Sequence, residues 1–304
     1  MLRLNDLKVK LNDLLPGLDL RVNEPMSRHT TFRVGGPAAL MAFPQSSEEA
    51  AAVLRAAAEL EIAPLFVGNG SNLLVSDRGV DGFVVKTVDG LGDMWLDGDC
   101  ICAGSGVLLS RLAVFARDNG LSGLEFAHGI PGSVGGALTM NAGAYGGEMA
   151  QVVESVTCIT PSGEVRELSN EECCFAYRHS AFEDGARFLL GARFRLSKGD
   201  PAAIKATMDD LASRRREKQP LEYPSAGSTF KRPEGYFAAA LIDQCGLKGL
   251  TVGGAQVSEK HAGFVINRGG ATCADIQGLM EQVKERVYQE TGVTLEPEVR
   301  MIGE

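Results

Sequence analysis

Between Gly129 and Glu148 the chain reads GIPGSVGGALTMNAGAYGGE. No helical or strand period runs through this stretch. Gly132, Gly135, Gly136, Gly143, Gly146 and Gly147 fall within it, more than isolated turns need. A backbone so bare of side chains is suited to close approach to a ligand. A second loop of this kind, GNGSNLLVSD from Gly68 to Asp77, follows the apolar run Pro64–Val67, which reads as a buried strand. Successive amide donors there, with Ser71 and Asn72, suit a pyrophosphate. The loop matches neither the dinucleotide fingerprint nor a Walker loop. On its own residues, a phosphate cradle and a plain strand-to-turn connection fit equally well. Two glycine-serine-glycine loops in one domain favour an extended anionic ligand held along its length, about the size of a dinucleotide.

The segments around these loops are easier to read. Leucines at helical spacing predict an amphipathic helix from Leu2 to Leu15, ending before Pro16. Ser46-Ser47-Glu48-Glu49 opens a helix through Leu60, with serine as cap and glutamates at the positive dipole end. GFVVKTV and DCICA read as strands, and residues 108–119 as a helix stopped by Gly120. VVESVTCIT and EVREL flank Pro161-Ser162-Gly163, a hairpin signal, and Ser169 with Glu172 forms a capping-box pattern. FLLGARFRL is a further strand. Asp200-Pro201 marks a boundary and a helix start, and that helix runs into the basic cluster Arg214-Arg215-Arg216-Glu217-Lys218. Beyond it we expect a compact αβ segment. It comprises a helix over 236–245, strands near 252–257 and 263–267, a helix from Thr272 to Glu290 stopped by Gly292, and a last strand, TLEPEVRMI.

Size and charge narrow the function classes. A chain of 304 residues accommodates two or three domains and buries a core without disulfides or metals. The net charge of −9 argues against nucleic acid as a partner. Neither Cys100/Cys102 nor Cys173/Cys174 has the spacing of a zinc knuckle or redox motif, so reduced thiols in a cytoplasmic protein and no metal site are expected. MLRLNDLKVKLNDLLP lacks the apolar core of a signal peptide, and no segment has the ~18 apolar residues of a membrane span.

The pairing of PLFVGNGSNLLVSD with GLEFAHGIPGSVGGALTMNAGAYGGE closely resembles the flavin-binding domain of the UDP-N-acetylenolpyruvoylglucosamine reductase family. The resemblance continues through FAYRHS, RREKQPLEYPSAGSTFKRP, GGAQVSEKHAGFVIN and LEPEVR, and covers nearly the whole chain from about residue 28. It implies an α+β fold: a two-subdomain FAD-binding domain of the vanillyl-alcohol oxidase (PCMH) type plus a C-terminal α+β substrate domain. The expected layout is an N-terminal helical segment 1–27, an FAD-binding domain 28–197 (subdomains about 28–78 and 79–197) and a substrate domain 198–304, whose last strand returns to the active site. It further implies reduction of UDP-N-acetylglucosamine enolpyruvate to UDP-N-acetylmuramate, with NADPH as reductant and FAD bound non-covalently. The expected partners are these small molecules, with no membrane, nucleic acid or obligate protein.

Carried over residue by residue, the resemblance places the cofactor against Arg33, Gly68, Asn69, Gly70, Ser71, Asn72, Leu73, Ala127, Gly129, Ile130, Pro131, Gly132, Ser133, Gly135, Gly136, Ala137, Asn141 and Gly143. Arg178 matches the arginine that stabilises the enolate, a role suited to a permanently charged, bidentate guanidinium. Ser228 matches the proton donor; alone, it reads as a turn serine beside Gly227. Glu298 matches a glutamate that either shares a proton with the enolate carboxylate or orients the arginine, and Glu296 shares its strand face. Lys218, Arg215, Tyr223, Gly227 and Lys231 match the substrate contacts. Between Arg178 and FLLGARFRL there is no room for the tyrosine-bearing loop of one family branch, so a loop-less branch is expected. Arg232 stands where some members have asparagine, and His128 where a small residue is frequent; a packed or flavin-adjacent role is expected for His128. Two other readings compete: an oxidase of the same fold, which has no need of SAGSTF and EPEVR together, and a non-catalytic nucleotide-binding module.

Overall fold

The computed structural model describes residues 2–88 and 90–303. The chain forms two compact units, the first comprising Met1–Val22, Leu40–Asn69 and Gly82–Arg214. In it, α1 (Leu2–Leu14) and α2 (Ser47–Glu59) pack on a four-stranded sheet ordered Asp19–Pro25, Pro37–Phe43, Val80–Lys86, Leu65–Val67. Leu7, Leu11, Leu40, Val53, Ala57, Phe83 and Val85 form that core. Ser46 caps α2 by accepting from Glu49 N at 3.1 Å, as its sequence predicts. Strand Leu65–Val67 runs parallel to Val80–Lys86 at the edge of the sheet and delivers the chain straight into Gly68.

A five-stranded antiparallel sheet makes the rest of this unit, ordered Val165–Ser169, Val153–Ile159, Phe188–Arg195, Cys100–Gly104, Met94–Asp97. Helices α3 (Leu109–Asp118) and α4 (Val134–Thr139) pack on it through Leu109, Leu112, Val134 and Leu138. Gly120 follows α3 at φ 67°, the expected left-handed stop. The expectation of no regular structure between Gly129 and Gly147 is corrected here. That stretch contains α4 and a small antiparallel pairing of Gly143–Ala144 with Gly147–Glu148. The Ser169/Glu172 bonds also form, at 2.8 and 3.3 Å, yet they close a turn rather than start a helix. Asp200 receives the amides of Ala202 and Ala203 at the start of α5 (Pro201–Lys218).

The second unit comprises Asn23–Ala39, Gly70–Asp81 and Arg215–Glu304. Its three-stranded antiparallel sheet, Thr251–Val252, Ala255–Val257, Val265–Asn267, packs with α6 (Ala238–Gln244) and α7 (Cys273–Thr291). The core joins Leu241, Ile242, Val257, Val265, Ile276, Leu279, Val283 and Val287 to Phe32, Leu74 and Phe230. The start of α7 is doubly capped. Thr272 and Asp275 exchange capping-box bonds, and both Asp77 oxygens accept amides, from Cys273 at 2.7 Å and Ala274 at 3.0 Å. The predicted last strand shrinks to Arg300–Ile302, which pairs in parallel with Leu73–Val75. Upstream of it, Pro297 has no N–H to give a ladder, so residues 296–298 make bridge-like contacts instead.

Candidate active site

In the first unit the glycine loops meet. A Cβ on Gly68 would lie 2.2 Å from Ser133 Oγ, so the position tolerates no side chain while Ser133 keeps its place. Asn69 Nδ2 donates to Pro131 O at 2.6 Å, and the buried Lys86 ammonium donates to Gly68 O. Ser133 caps α4 by accepting from Gly136 N, and Gly135 N donates to Ser105 O at 2.8 Å. Gly132 O accepts from Leu109 N, which ties the loop to α3. A Cβ on Gly147 would sit 2.4 Å from the Phe126 ring. Gly68, Asn69, Pro131, Gly132, Ser133, Gly135 and Gly136 thus lie together, with no room for a side chain at Gly68 and little at Gly135. This is the kind of cradle a pyrophosphate requires, and it fits FAD. Ala127 is buried beneath it, and Ile130 N closes a turn on Ala127 O.

His128, at the head of this loop, is half-buried with Nδ1 shut off from water and without a hydrogen-bond partner. Burial first, then the charge of Arg117, pushes its pKa below the ordinary histidine value, so the ring is held neutral. Asn141 is 1% exposed and bonds within the protein at both ends of its amide. Arg178 is half-buried, with its guanidinium 5.1 Å from the Tyr177 ring centre and a backbone φ of 53°. Residues 179–187 separate it from the strand Phe188–Arg195.

The second unit gathers the remaining residues. The segment Ser228–Lys231 runs antiparallel to Glu296–Glu298. Glu298 N donates to Thr229 O at 2.8 Å, Lys231 N to Glu296 O at 2.8 Å, and Phe230 bridges Pro297. Thr229, 1% exposed, is pinned from below. Its amide donates to Gly263 O and its Oγ1 accepts from Val265 N at 2.9 Å. Ser228, directly before the buried Thr229, is exposed. Gly227 before it has φ 75°, with open space where a Cβ would be; only the backbone conformation calls for glycine there.

Asn72 joins this arrangement. Its Nδ2 donates to Glu298 O at 3.0 Å and its own carbonyl accepts from Arg300 N. Of the two glutamates, Glu296 faces Lys231 Nζ at 3.7 Å and is exposed, whereas Glu298 is half-buried. Gly70 abuts the backbone of residues 29–30, where a Cβ would come 2.0 Å from His29 O. Thr31 fixes that segment by donating to Ser225 O at 2.6 Å, and Arg33 lies two residues on with φ 56°. Tyr223 lies under the Arg268 guanidinium at 4.9 Å. Lys218 ends α5, and its charge, after burial and with Lys248, helps push the His261 pKa down. Ser71 is half-buried and Leu73 begins the strand that pairs with Arg300–Ile302; Arg215 is half-buried in the last turn of α5. Sequence reading missed the supports: Thr31, Lys86, Thr229, Ser180, whose Oγ donates to Thr139 O at 2.8 Å, and Asn267, whose Nδ2 donates to Phe32 O at 3.0 Å. Only Lys86, a lysine inside the apolar run GFVVKTV, carried a visible signal.

The fold, read with the family matches that follow, defines an FAD-binding protein of the oxidoreductase class. Residues 38–169 match the FAD binding domain family, and residues 219–302 match the C-terminal domain of UDP-N-acetylenolpyruvoylglucosamine reductase. The chain is 51% identical over 299 residues to the UDP-N-acetylenolpyruvoylglucosamine reductase of Clostridium novyi, covering 98% of this chain and 97% of that one. It is 48% identical to that of Clostridioides difficile, covering 98% of each. The solved UDP-N-acetylenolpyruvylglucosamine reductase of Thermus caldophilus superposes with a TM-score of 0.81 at 36% identity, over 94% of this chain and 99% of that one. A glucooligosaccharide oxidase of Acremonium strictum, at 12% identity and a TM-score of 0.50 over 96% of this chain and 60% of that one, shares the fold alone. The chain belongs to the UDP-N-acetylenolpyruvoylglucosamine reductase family. Among the described residues no helix is long and apolar enough to cross a membrane.

Proposed function

We propose that this protein reduces UDP-N-acetylglucosamine enolpyruvate to UDP-N-acetylmuramate with NADPH, in the cytoplasmic synthesis of peptidoglycan precursors. The observation that carries this reading is the Thr229 anchor. It fixes the segment on which Ser228 stands exposed, hydrogen-bonded to the segment of Glu298. Bound FAD, held non-covalently, supplies the two-electron relay between NADPH and the enolpyruvyl double bond. The glycine surface around Gly68 and Ser133 binds the pyrophosphate through backbone amides, with no side chain to hold the ligand off.

Hydride reaching the β-carbon leaves negative charge that spreads from the α-carbon into the carboxylate. The Arg178 guanidinium stabilises that enolate, an electrostatic contribution of several kcal/mol. The Ser228 hydroxyl then gives its proton to the α-carbon. A serine is a weak acid, but the carbanion is a strong base, and proton transfer follows that difference. Glu298 shares a proton with the enolate carboxylate or orients the arginine; either role avoids two adjacent unshielded carboxylates. Lys218, Arg215, Tyr223 and Lys231 bind the nucleotide diphosphate end. The short link 179–187 after Arg178 supports reading the chain as a member of the loop-less branch. We read residues 28–197 as the FAD-binding domain and 198–304 as the substrate domain.

Stopped-flow separation of the two half-reactions tests this reading. Ser228→Ala should leave flavin reduction by NADPH near normal and slow reoxidation by the enolpyruvyl sugar by about 10²–10⁴-fold. Arg178→Ala should impair the same second half-reaction. Equal damage to both halves would remove Ser228 from the proton-donor role, and rapid flavin reoxidation by O₂ without the sugar would favour an oxidase.

A further inference from the structure

The turn that carries Arg178 is held by two buried side chains from outside it. Ala176 and His179 exchange both backbone hydrogen bonds, each 3.1 Å, and close a two-residue loop over Tyr177 and Arg178. Arg178 takes φ 53° there, a left-handed value that glycine or asparagine usually supplies at the second central turn position. A non-glycine residue persists in such a conformation only when its surroundings over-determine it.

On one side, Asn141 Nδ2 donates to Ala176 O at 3.0 Å while Asn141 Oδ1 accepts from Ala150 N at 2.9 Å. Asn141 is 1% exposed and has φ 40°, so its own backbone is set by the loop that leaves α4. On the other side, Ser180 Oγ donates to Thr139 O at 2.8 Å, on the last residue of α4, and accepts from Phe182 N at 3.2 Å. Ser180 is also 1% exposed. Both ends of the arginine turn are therefore bolted to α4 and the loop that follows it.

We propose that Asn141 and Ser180 are positioning residues for Arg178, fixing where its guanidinium stands in the reduction of the enolpyruvyl group. This rests on the reading that Arg178 acts on the substrate carboxylate. Asn141 thereby acts through the arginine turn and not as a ligand of the cofactor.

Asn141→Asp is the discriminating substitution. It keeps the shape, the tolerance of positive φ and the acceptor for Ala150 N, but an ionised carboxylate has no proton for Ala176 O. Burial raises the pKa of a carboxyl placed there, so lowering the pH restores the donor. In Asn141→Asp the sugar-dependent half-reaction should fall by about a hundredfold at alkaline pH, the scale set by small misplacement of a catalytic group. It should recover relative to the wild-type enzyme as the pH is lowered. Ser180→Ala should lower the same step by about tenfold and provides a second route should the first variant fold poorly. FAD affinity, by titration of the flavin spectrum, and flavin reduction by NADPH should hold in both variants. Adding either substitution to Arg178→Ala should slow it no further, because residues that act as a unit are not additive. Loss of FAD affinity, or a penalty that multiplies with that of Arg178→Ala, would overturn the proposal. If Arg178→Ala alone left the sugar half-reaction unchanged, the reading of Arg178 itself would fall.

Discussion

Gly68→Ala tests the junction of the two glycine loops. The new methyl group would lie 2.2 Å from Ser133 Oγ but 3.4 Å from Ser133 Cβ, so the clash is with the hydroxyl alone. Gly68 needs no left-handed conformation, which leaves steric crowding as the whole effect. Ser133 is 1% exposed and cannot swing into solvent. Displacing its hydroxyl removes the N-cap of α4, worth about 1 kcal/mol, and adds the overpacking cost of a close-packed site, about 1–3 kcal/mol. The single variant should therefore lose about 2–4 kcal/mol. Ser133→Ala loses the cap and should cost about 1 kcal/mol. Its remaining Cβ stands at ordinary contact distance, so Gly68→Ala added to it should cost little more. The double variant should then be more stable than Gly68→Ala alone by about 1–3 kcal/mol, a coupling of about 2–4 kcal/mol. Urea midpoints of the four apoproteins measure the cycle, and flavin absorbance after gel filtration reports whether FAD retention follows the same order. Additive costs, or a Gly68→Ala protein as stable as the parent, would refute the account of why glycine stands there.

The start of α7 yields two more expectations. Asp77→Ala removes the acceptor of the Cys273 and Ala274 amides and should cost about 1–2 kcal/mol in urea denaturation without changing FAD affinity. An unchanged midpoint would show that water replaces the cap. Asp275 accepts from Thr272 N at 3.0 Å and Gly254 N at 3.3 Å, and these bonds hold its pKa below the ordinary carboxylate value. The unfolded chain binds that proton at higher pH than the folded one, so the contribution is present above about pH 4 and is lost as the pH falls through the folded value. Asp275→Asn should flatten the fall in melting temperature over that acid range, and a slope equal to the parent's would discount the capping-box carboxylate.

Local punctuation made much of the framework legible. Ser46 before two glutamates, Gly120, Asp200-Pro201, Thr272 with Asp275, and Gly292 each fixed a helix end, because the bonds involved lie within a few residues. Where the reading failed, the deciding partner was distant. Helix α4 has two glycines in six residues and no period to detect. It exists because Ser133 caps it and Gly135 N reaches Ser105 O at the end of the strand Cys100–Gly104. The Ser169/Glu172 box is the converse. Its local bonds are made, but Cys174 turns left-handed at φ 49° and the chain does not continue as a helix. The last strand is shorter than expected because it is interrupted at Pro297, whose missing N–H cannot enter a ladder.

The same distinction divides the candidate site. The residues proposed to touch substrate, Arg178, Ser228 and Glu298, stand in motifs and were found by resemblance. Of the residues that aim them, resemblance named only Asn141, and as a cofactor contact, since the partners that reveal this role are remote in sequence. Asn141 reaches Ala176 across 35 positions, Ser180 reaches Thr139 across 41, and Thr229 meets Val265 across 36. Each is a small polar side chain almost wholly buried, and in a sequence it looks like any turn residue. Burial supplies the reason to expect a task. A polar group withdrawn from water is destabilising unless it is hydrogen-bonded, and here each bond fixes the backbone beside a proposed catalytic residue. Removing Thr229 Oγ1 would leave the buried Val265 amide without its acceptor, at a cost of about 1–3 kcal/mol. Thr229→Val, which keeps the shape, should therefore destabilise the protein by that amount and also slow the sugar-dependent half-reaction. Thr229→Ser keeps the acceptor and should restore both. If Thr229→Val loses stability while the rate per folded, flavin-loaded enzyme is unchanged, Thr229 only supports the fold, and the exposed setting of Ser228 does not depend on it.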